Sequence, residues 1–394
     1  MILAEGKLKN GVLTIQLSGR IDSLNVSELK RQNEEVRRTY PTESIVLDCE
    51  KLEFTTSSGL RLMLNLKKEV HDTRIINAQP AVYDVLDMTG FTELFDVQKA
   101  YRVLSVEGCE IIGQGANGKV YRIDRDTIVK VYRNPDSLPE IHRERELART
   151  AFIAGVPTAI PYDVVRIESG GYGSVFELLN ATGLAALLIQ KEKTVDEAAA
   201  MSIDLLKLIH SKTAKPNTMP DMKETALGWV DFLKDYLLPE QYEKLYTLIR
   251  SVPDDMHMMH GDFHIKNIML QNGEVLLIDM DTLCHGHPIF ELAGMYNAYC
   301  GYGILDHTIT EKFLGIPFEI ASAFWRRSLE LYLGTMDEEK IRSTENKARL
   351  IGSVRMMRRI IRRNRMGTEE GRANFEYNRN VLDELLGSLD TLEI

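Results

Sequence analysis

Residues 260–267 read His-Gly-Asp-Phe-His-Ile-Lys-Asn, and the chain continues through Ile268-Met269-Leu270, an Asn272-Gly273 turn and the run Glu-Val-Leu-Leu-Ile-Asp-Met-Asp at 274–281. The Asn-Gly pair predicts a tight turn between two strands. That places Asp262 in a loop, Asn267 five residues on, and Asp279 at the end of the next strand. Moving a phosphoryl group needs a carboxylate that orients the attacking hydroxyl and takes its proton. It also needs hard oxygen donors for magnesium. Asp262 suits the first role, Asn267 and Asp279 the second. Asp281 is a further candidate, acting through water or standing as a surface charge. His260 reads as a hydrogen-bonded scaffold of the loop. A zinc set drawn from His260, His264, His285 and His287 has suitable residue types but no metal-ligand spacing.

Working upstream, Ile111-Ile112-Gly113-Gln114-Gly115-Ala116-Asn117-Gly118-Lys119-Val120 carries a G-x-G-x-x-G pattern. A dinucleotide site needs a helix directly after it. Residues 119–133 (KVYRIDRDTIVKVYR) instead alternate twice about an Asp-Arg-Asp turn, which predicts a hairpin. A glycine loop between two strands can lay its backbone N–H groups over phosphates, and Gly113, Gly115 and Gly118 are the candidates for close approach. Taken alone, the glycines also fit a tight surface hairpin. Lys130 lies on the second strand, either on a solvated face or as an anchor for α- and β-phosphates. An anchor needs a carboxylate, and the helical segment HRERELARTAFIAG at 142–155 offers Glu144 and Glu146.

Together, IIGQGANGKVY, IVKVY, the helix ending LLKLIH, HGDFHIKN, LLIDMDT and HPIFELAGM resemble the aminoglycoside phosphotransferase and choline kinase family over roughly 106–394. Glu291 stands where the family's Asp-Leu-Ala segment has aspartate. The resemblance implies a two-lobed α+β protein kinase-like phosphotransferase domain at 105–394, its small lobe about 105–179 and its large lobe about 180–394. It implies Asp262 as catalytic base, Asn267 and Asp279 as Mg2+ ligands, and Lys130 with Glu144 as the phosphate anchor. An adenine-binding hinge falls at 177–179, marked by Glu177 and Leu179. ATP, with GTP the alternative, is the implied donor, and a small hydroxylated molecule the implied acceptor.

The first hundred residues read differently. Strands are expected at 11–21, 44–54 and 74–78, and helices at 25–39, 55–70 and 81–95, with Asn25 and Glu28 at capping-box spacing. GRIDSLN, IVLDCEKLEFTTSSGLRLMLNLKK and VLDMTGFTELFDV resemble the STAS domain of anti-sigma factor antagonists and sulfate transporter tails. The resemblance implies an α/β STAS-like sandwich at 1–104 that binds a protein partner. In antagonists a serine in an Asp-Ser-Ser-Gly-Leu segment is phosphorylated. Ser58 matches that serine, while Thr56 replaces the aspartate. A phosphate at a helix start is electrostatically favourable; equally, Thr55 to Ser58 read as helix caps.

Composition bounds the rest. Lys plus Arg is 48 against 58 for Asp plus Glu, net −10, so nucleic acid is not an expected partner. The first hundred residues hold 13 basic and 15 acidic side chains, leaving 35 and 43 for the remainder, whose excess acid could suit a cationic substrate. The opening MILAEGKLKNGVLTIQL is too charged for a signal peptide, no apolar run reaches the ~20 residues of a membrane helix, and four scattered cysteines suit reduced thiols. A cytoplasmic location is expected. Near the end, Arg355, Arg358, Arg359, Arg362, Arg363 and Arg365 share helical spacing with Val354, Met357, Ile360 and Ile361. That predicts a helix packed on the large lobe, its arginines solvated or paired with that lobe's acid, rather than a dock for an acidic partner.

Overall fold

The computed structural model describes residues 3–115 and 118–394 and divides into two compact units, Met1–Ser105 and Val106–Ile394. In the first unit the elements are β1 (Leu3–Lys9), β2 (Val12–Ile21), α1 (Val26–Thr39), β3 (Ser44–Thr55), α2 (Ser57–Glu69), β4 (Asp72–Ala78), α3 (Pro80–Met88), α4 (Phe91–Leu94), β5 (Val97–Lys99) and the short β6 (Arg102–Leu104). The sheet runs in the order β1-β2-β3-β4-β5. Only β1 and β2 are antiparallel, while β2, β3, β4 and β5 lie parallel. Alternation along β2 buries Leu13, Ile15 and Leu17; Ile45, Leu47 and Cys49 do the same from β3. Leu29, Met63, Leu66, Val82 and Leu86 from the helices complete this core. Each fully buried aliphatic contributes roughly 1.5–3 kcal/mol, which favours a register that keeps this face inward.

Three local expectations are corrected here. The strand β1 went unread, although Asn10 and Gly11, both at positive φ (52° and 79°), supply the turn that pairs it with β2. The helix expected at 81–95 is two helices, broken at Gly90 in the left-handed region (φ 73°). Asn25 does not cap α1: its side chain accepts from Asp22 N–H and donates to the Arg20 carbonyl.

The second unit begins with β7 (Glu110–Gln114), β8 (Gly118–Arg122), β9 (Thr127–Tyr132), α5 (Leu138–Ile153), β10 (Pro161–Ile167) and β11 (Tyr172–Glu177), the strands ordered β10-β11-β9-β8-β7. All four pairings are antiparallel. Beyond it lie β12 (Thr182–Gly183), α6 (Leu184–Ile189), α7 (Val195–His210), α8 (Met222–Phe232), α9 (Pro239–Arg250), β13 (Met258–Met259), β14 (Ile268–Gln271), β15 (Glu274–Leu277), β16 (Cys284–His285), α10 (Ile289–Tyr299), α11 (Thr308–Leu314), α12 (Phe318–Leu333), α13 (Glu338–Arg362) and α14 (Glu369–Leu386). The helix α10 is apolar on every side apart from Glu291 and Asn297, and it runs through the middle of this core, with α13 packed along it. Among the described residues, no helix is long and apolar enough to cross a membrane.

Candidate active site

The loop 260–267 leaves β13 and enters β14 through a 3-10 turn at Ile265–Asn267. Its tightest point is Gly261, at φ 80°, where a Cβ would lie 2.3 Å from the Thr282 carbonyl oxygen; only glycine fits. From the first turn of α10, the buried Glu291 carboxylate accepts N–H bonds from His260 (2.6 Å), Gly261 (3.1 Å) and Phe263 (3.4 Å). Burial alone would raise its pKa. Nearby His210 and His260 and the Gly261 N–H outweigh that and hold it below the ordinary value. Ile265 N–H donates to the buried Tyr299 hydroxyl at 2.7 Å. Four of the loop's backbone donors are thus satisfied from one helix.

Asp262 projects from this scaffold and keeps 41% of its side chain exposed. Its own N–H donates to His260 Nδ1 (3.3 Å), which assigns the ring proton to Nε2, facing the Ile278 carbonyl at 3.2 Å. His264 Nε2 stands 3.5 Å from one carboxylate oxygen and Arg355 Nη2 3.9 Å from the other. Burial opposes ionisation, but His264, Arg355 and His260 bring the carboxyl down to about 2, so it is a carboxylate at neutral pH. Asn267 Nδ2 donates to the Asp262 carbonyl at 3.1 Å, and Ile278 N–H to the Asn267 carbonyl at 2.9 Å. These bonds tie the loop to the strand end that carries Asp279.

Asp279 sits in the left-handed region (φ 66°), which costs a non-glycine residue about 1 kcal/mol and turns its carboxylate off the strand axis. There it meets Lys130. The ammonium lies 3.0 Å from Asp279 Oδ1 and 2.7 Å from Glu144 Oε1, joining β9, α5 and the end of β15. Lys130 and Glu144 are 16% and 6% exposed, whereas Asp279 is 47% exposed and open to a ligand. Burial would lower the lysine's pKa, yet Glu144, Asp279 and Asp281 hold it raised. Glu146 turns outward to Arg145 and Arg149 instead. Burial and the neighbouring Asp279 push Asp281 up to about 7. Beside Asp281, Tyr132 and Glu144 opens a cavity of about 430 Å3, within the range of small-molecule sites.

The remaining candidates separate. Gly118 has no room for a side chain, because a Cβ would lie 2.1 Å from the Val131 carbonyl oxygen on the paired strand; its glycine serves strand packing, not only phosphate approach. Gly113 and Gly115 have space around them, and Ala116 and Asn117 of the loop lie outside the described residues. Glu177 closes β11 by exchanging bonds with Ile160, so its side chain is engaged within the small lobe, and Leu179 follows half-buried. His285 and His287 make separate bonds, to the Asp255 carbonyl and from Ile289 N–H. Among the described residues, no cluster of three or more His, Cys, Asp or Glu could hold a metal. In the first unit Ser58 is half-buried at the second position of α2, and no side chain caps that helix. The next residue, Gly59, packs so closely that a Cβ would lie 2.3 Å from Thr55 Oγ1.

Two site residues escaped the sequence. Tyr132, two residues past Lys130 on the same face of β9, donates its hydroxyl to Glu144. Arg355 belongs to the arginine face expected to be solvated or acid-paired; its acid is the candidate base Asp262, and it also reaches the Gly261 carbonyl with its guanidinium against Trp229. Period-two spacing from Lys130 could have flagged the tyrosine. Nothing local flags Arg355, which reaches the loop across 94 positions.

Comparison with known proteins identifies the family and the leading domain. Residues 108–309 match the phosphotransferase enzyme family, and residues 5–104 match the STAS domain. Over 91 residues the chain is 30% identical to an anti-sigma F factor antagonist of Paenibacillus polymyxa, covering 22% of this chain and 78% of that protein. Among solved structures, the GDP complex of wild-type aminoglycoside 2'-phosphotransferase-IIIa aligns over 77% of this chain and 97% of that one, at 12% identity and TM-score 0.48. A choline/ethanolamine kinase family protein from Mesorhizobium loti aligns over 71% and 88%, at 14% identity and TM-score 0.47. The chain belongs to the phosphotransferase enzyme family and carries a STAS domain ahead of it.

Proposed function

We propose that the second unit moves the γ-phosphoryl group of ATP, or of GTP, to a hydroxyl of a small molecule. The observation that carries this reading is the Lys130 ammonium held between Glu144 and Asp279, residues supplied by three separate elements. Lys130 would hold the α- and β-phosphates, with Glu144 fixing its direction and Tyr132 fixing Glu144. Asp262 accepts the hydrogen bond of the acceptor hydroxyl and takes its proton as the oxygen bonds to the γ-phosphorus. The bond from that phosphorus to the β–γ bridging oxygen breaks, and the diphosphate leaves.

The Asn267 amide oxygen and the Asp279 carboxylate form an all-oxygen donor set that is short of a full shell. That suits Mg2+, which keeps waters and takes phosphate oxygens. Asp281 is costly to ionise beside Asp279, a repulsion that a cation held there would relieve. Asn267 and Asp279 would hold Mg2+, which when bound neutralises charge on the phosphates.

For the first unit the proposal is a surface that docks a protein partner, with Ser58 as the residue whose modification would change that surface by adding charge. The test of the enzymatic reading is nucleotide turnover by the full chain with and without Mg2+ across a panel of hydroxyl compounds. Metal-dependent turnover that rises with one acceptor class supports it; no nucleotide binding in any condition refutes it. Mass spectrometry after incubation with ATP tests Ser58, and an unmodified 55–58 segment, with or without candidate kinases, removes it.

A further inference from the structure

The arginines of α13 have no part in the reading above beyond Arg355. The carboxylates in ion-pair reach of this helix end are Asp262, 3.9 Å from Arg355, and Glu370, 2.8 Å from Arg365. Arg358, Arg359, Arg362 and Arg363 have none among the described residues. The guanidinium planes rest on rings instead: Arg358 on Phe232 at 5.7 Å and Arg359 on Tyr302 at 4.6 Å. Arg359 depresses the pKa of Arg363, and burial with Arg362 and Arg355 depresses that of Arg358. Arg358, Arg359, Arg362 and Arg363 therefore lie close together with no counter-ion in ion-pair reach among the described residues.

These charges are connected to the catalytic loop. His264, whose Nε2 is 3.5 Å from Asp262, meets Phe313 edge-on at 4.9 Å, and Phe313 meets Tyr302 edge-on at 5.2 Å. Tyr302 carries Arg359. Together with Arg359, Arg363, Arg365, Asn374 and Glu370, whose carboxylate is taken up by Arg365 at 2.8 Å, these two aromatics line a cavity of about 100 Å3. Whole drug-sized ligands need roughly 300–1,000 Å3, so this space suits one functional group. At 1.5 Å per residue, Arg359 and Arg363 lie about 6 and 12 Å along the helix from Arg355.

We propose, resting on the phosphotransferase reading, that the acceptor carries an oxyanion, a phosphate or a carboxylate, seated between Arg359 and Arg363 while its hydroxyl faces Asp262. Arginine's fork matches either group with two parallel hydrogen bonds. The same charges repel choline-like amines and amino sugars, against the cationic substrate suggested by net charge. Transfer then follows the balance already given, and the product carries its original oxyanion plus one new phosphate ester.

The experiment titrates inorganic phosphate, followed by calorimetry, into the full chain already saturated with Mg2+ and a non-hydrolysable ATP analogue, so that the donor site is filled. Wild type should bind phosphate at one saturable site. The double variant Arg359→Gln/Arg363→Gln should weaken that binding at least tenfold and leave analogue affinity within twofold. Arg362→Gln, exposed on the same helix, removes a charge away from the cavity and should change phosphate affinity less than twofold. Should the double variant lose the analogue as well, Arg359→Lys decides: it keeps the charge, loses the fork, and must weaken phosphate severalfold. No phosphate binding, equal binding by the variants, or an Arg362→Gln effect as large as the double variant's overturns the seat. Failure of wild type to bind the analogue fails the parent reading, a separately visible result. Titrating glycerol against glycerol phosphate, and lactate against its alcohol analogue, then separates phosphate from carboxylate.

Discussion

Replacing Glu291 by glutamine asks whether one buried carboxylate holds the catalytic loop. The carboxylate accepts the N–H groups of His260, Gly261 and Phe263. Glutamine keeps one acceptor oxygen and turns an NH2 toward those donors, so about two charge-assisted bonds are lost. At about 1.5–3 kcal/mol each, that is roughly 3–6 kcal/mol. In a unit of this size about 2 °C accompanies each kcal/mol, so the melting temperature should fall by about 6–12 °C. Both tryptophans, Trp229 and Trp325, lie in the second unit, so their fluorescence during urea or thermal unfolding reports that unit alone.

The pH dependence sharpens this prediction. Glu291 has a folded pKa below its ordinary 4.5, so it contributes stability that is present above about pH 4.5 and lost as pH falls through the lower folded value. The gap between wild type and variant should be full at pH 7 and shrink below pH 4.5. Turnover should fall with the gap, because Asp262 is carried by the same loop. A gap under 1 kcal/mol at pH 7, or one unchanged at pH 3.5, would refute the reasoning.

Lys130→Met leaves Glu144 buried with Tyr132 as its remaining partner. It should cost about 3–5 kcal/mol and weaken nucleotide binding; adding Glu144→Gln should restore part of the stability and none of the affinity, as read by unfolding and by calorimetry. Asp281→Asn removes a carboxyl pushed up to about 7. A raised acid loses stability as pH climbs from its unfolded value through its folded one, so the variant's advantage should grow from pH 4 to pH 7, up to about 4 kcal/mol, then level off. An advantage that is flat across that range, by melting curves, would count against the carboxylate pair.

Much of this site was legible because its chemistry sits in short segments with distinct local signals. The Asn272-Gly273 turn fixed β14 and β15, and with them the distance in sequence between Asn267 and Asp279. Alternation around Lys130 placed it on a strand, and helical spacing offered two carboxylates; the family resemblance favoured Glu144, and the facing direction agrees, with Glu146 turned outward. What the sequence hid was long-range. Arg355 reaches Gly261 across 94 positions, and its role depends on where α13 packs, which periodicity does not encode. Tyr132 looked like one more alternating strand residue. In the first unit β1 was masked by its charged residues, although its Asn-Gly turn was in view. Gly90 was read through as helix interior because the apolar pattern continues past it.

The most direct test of the central claim is Asp262→Asn, assayed for phosphoryl transfer and for nucleotide affinity on the same preparation. An amide preserves shape and cannot take the hydroxyl proton. The account predicts a fall in kcat of roughly 10²–10⁴-fold with nucleotide affinity within twofold of wild type. Transfer at the normal rate by that variant would contradict it.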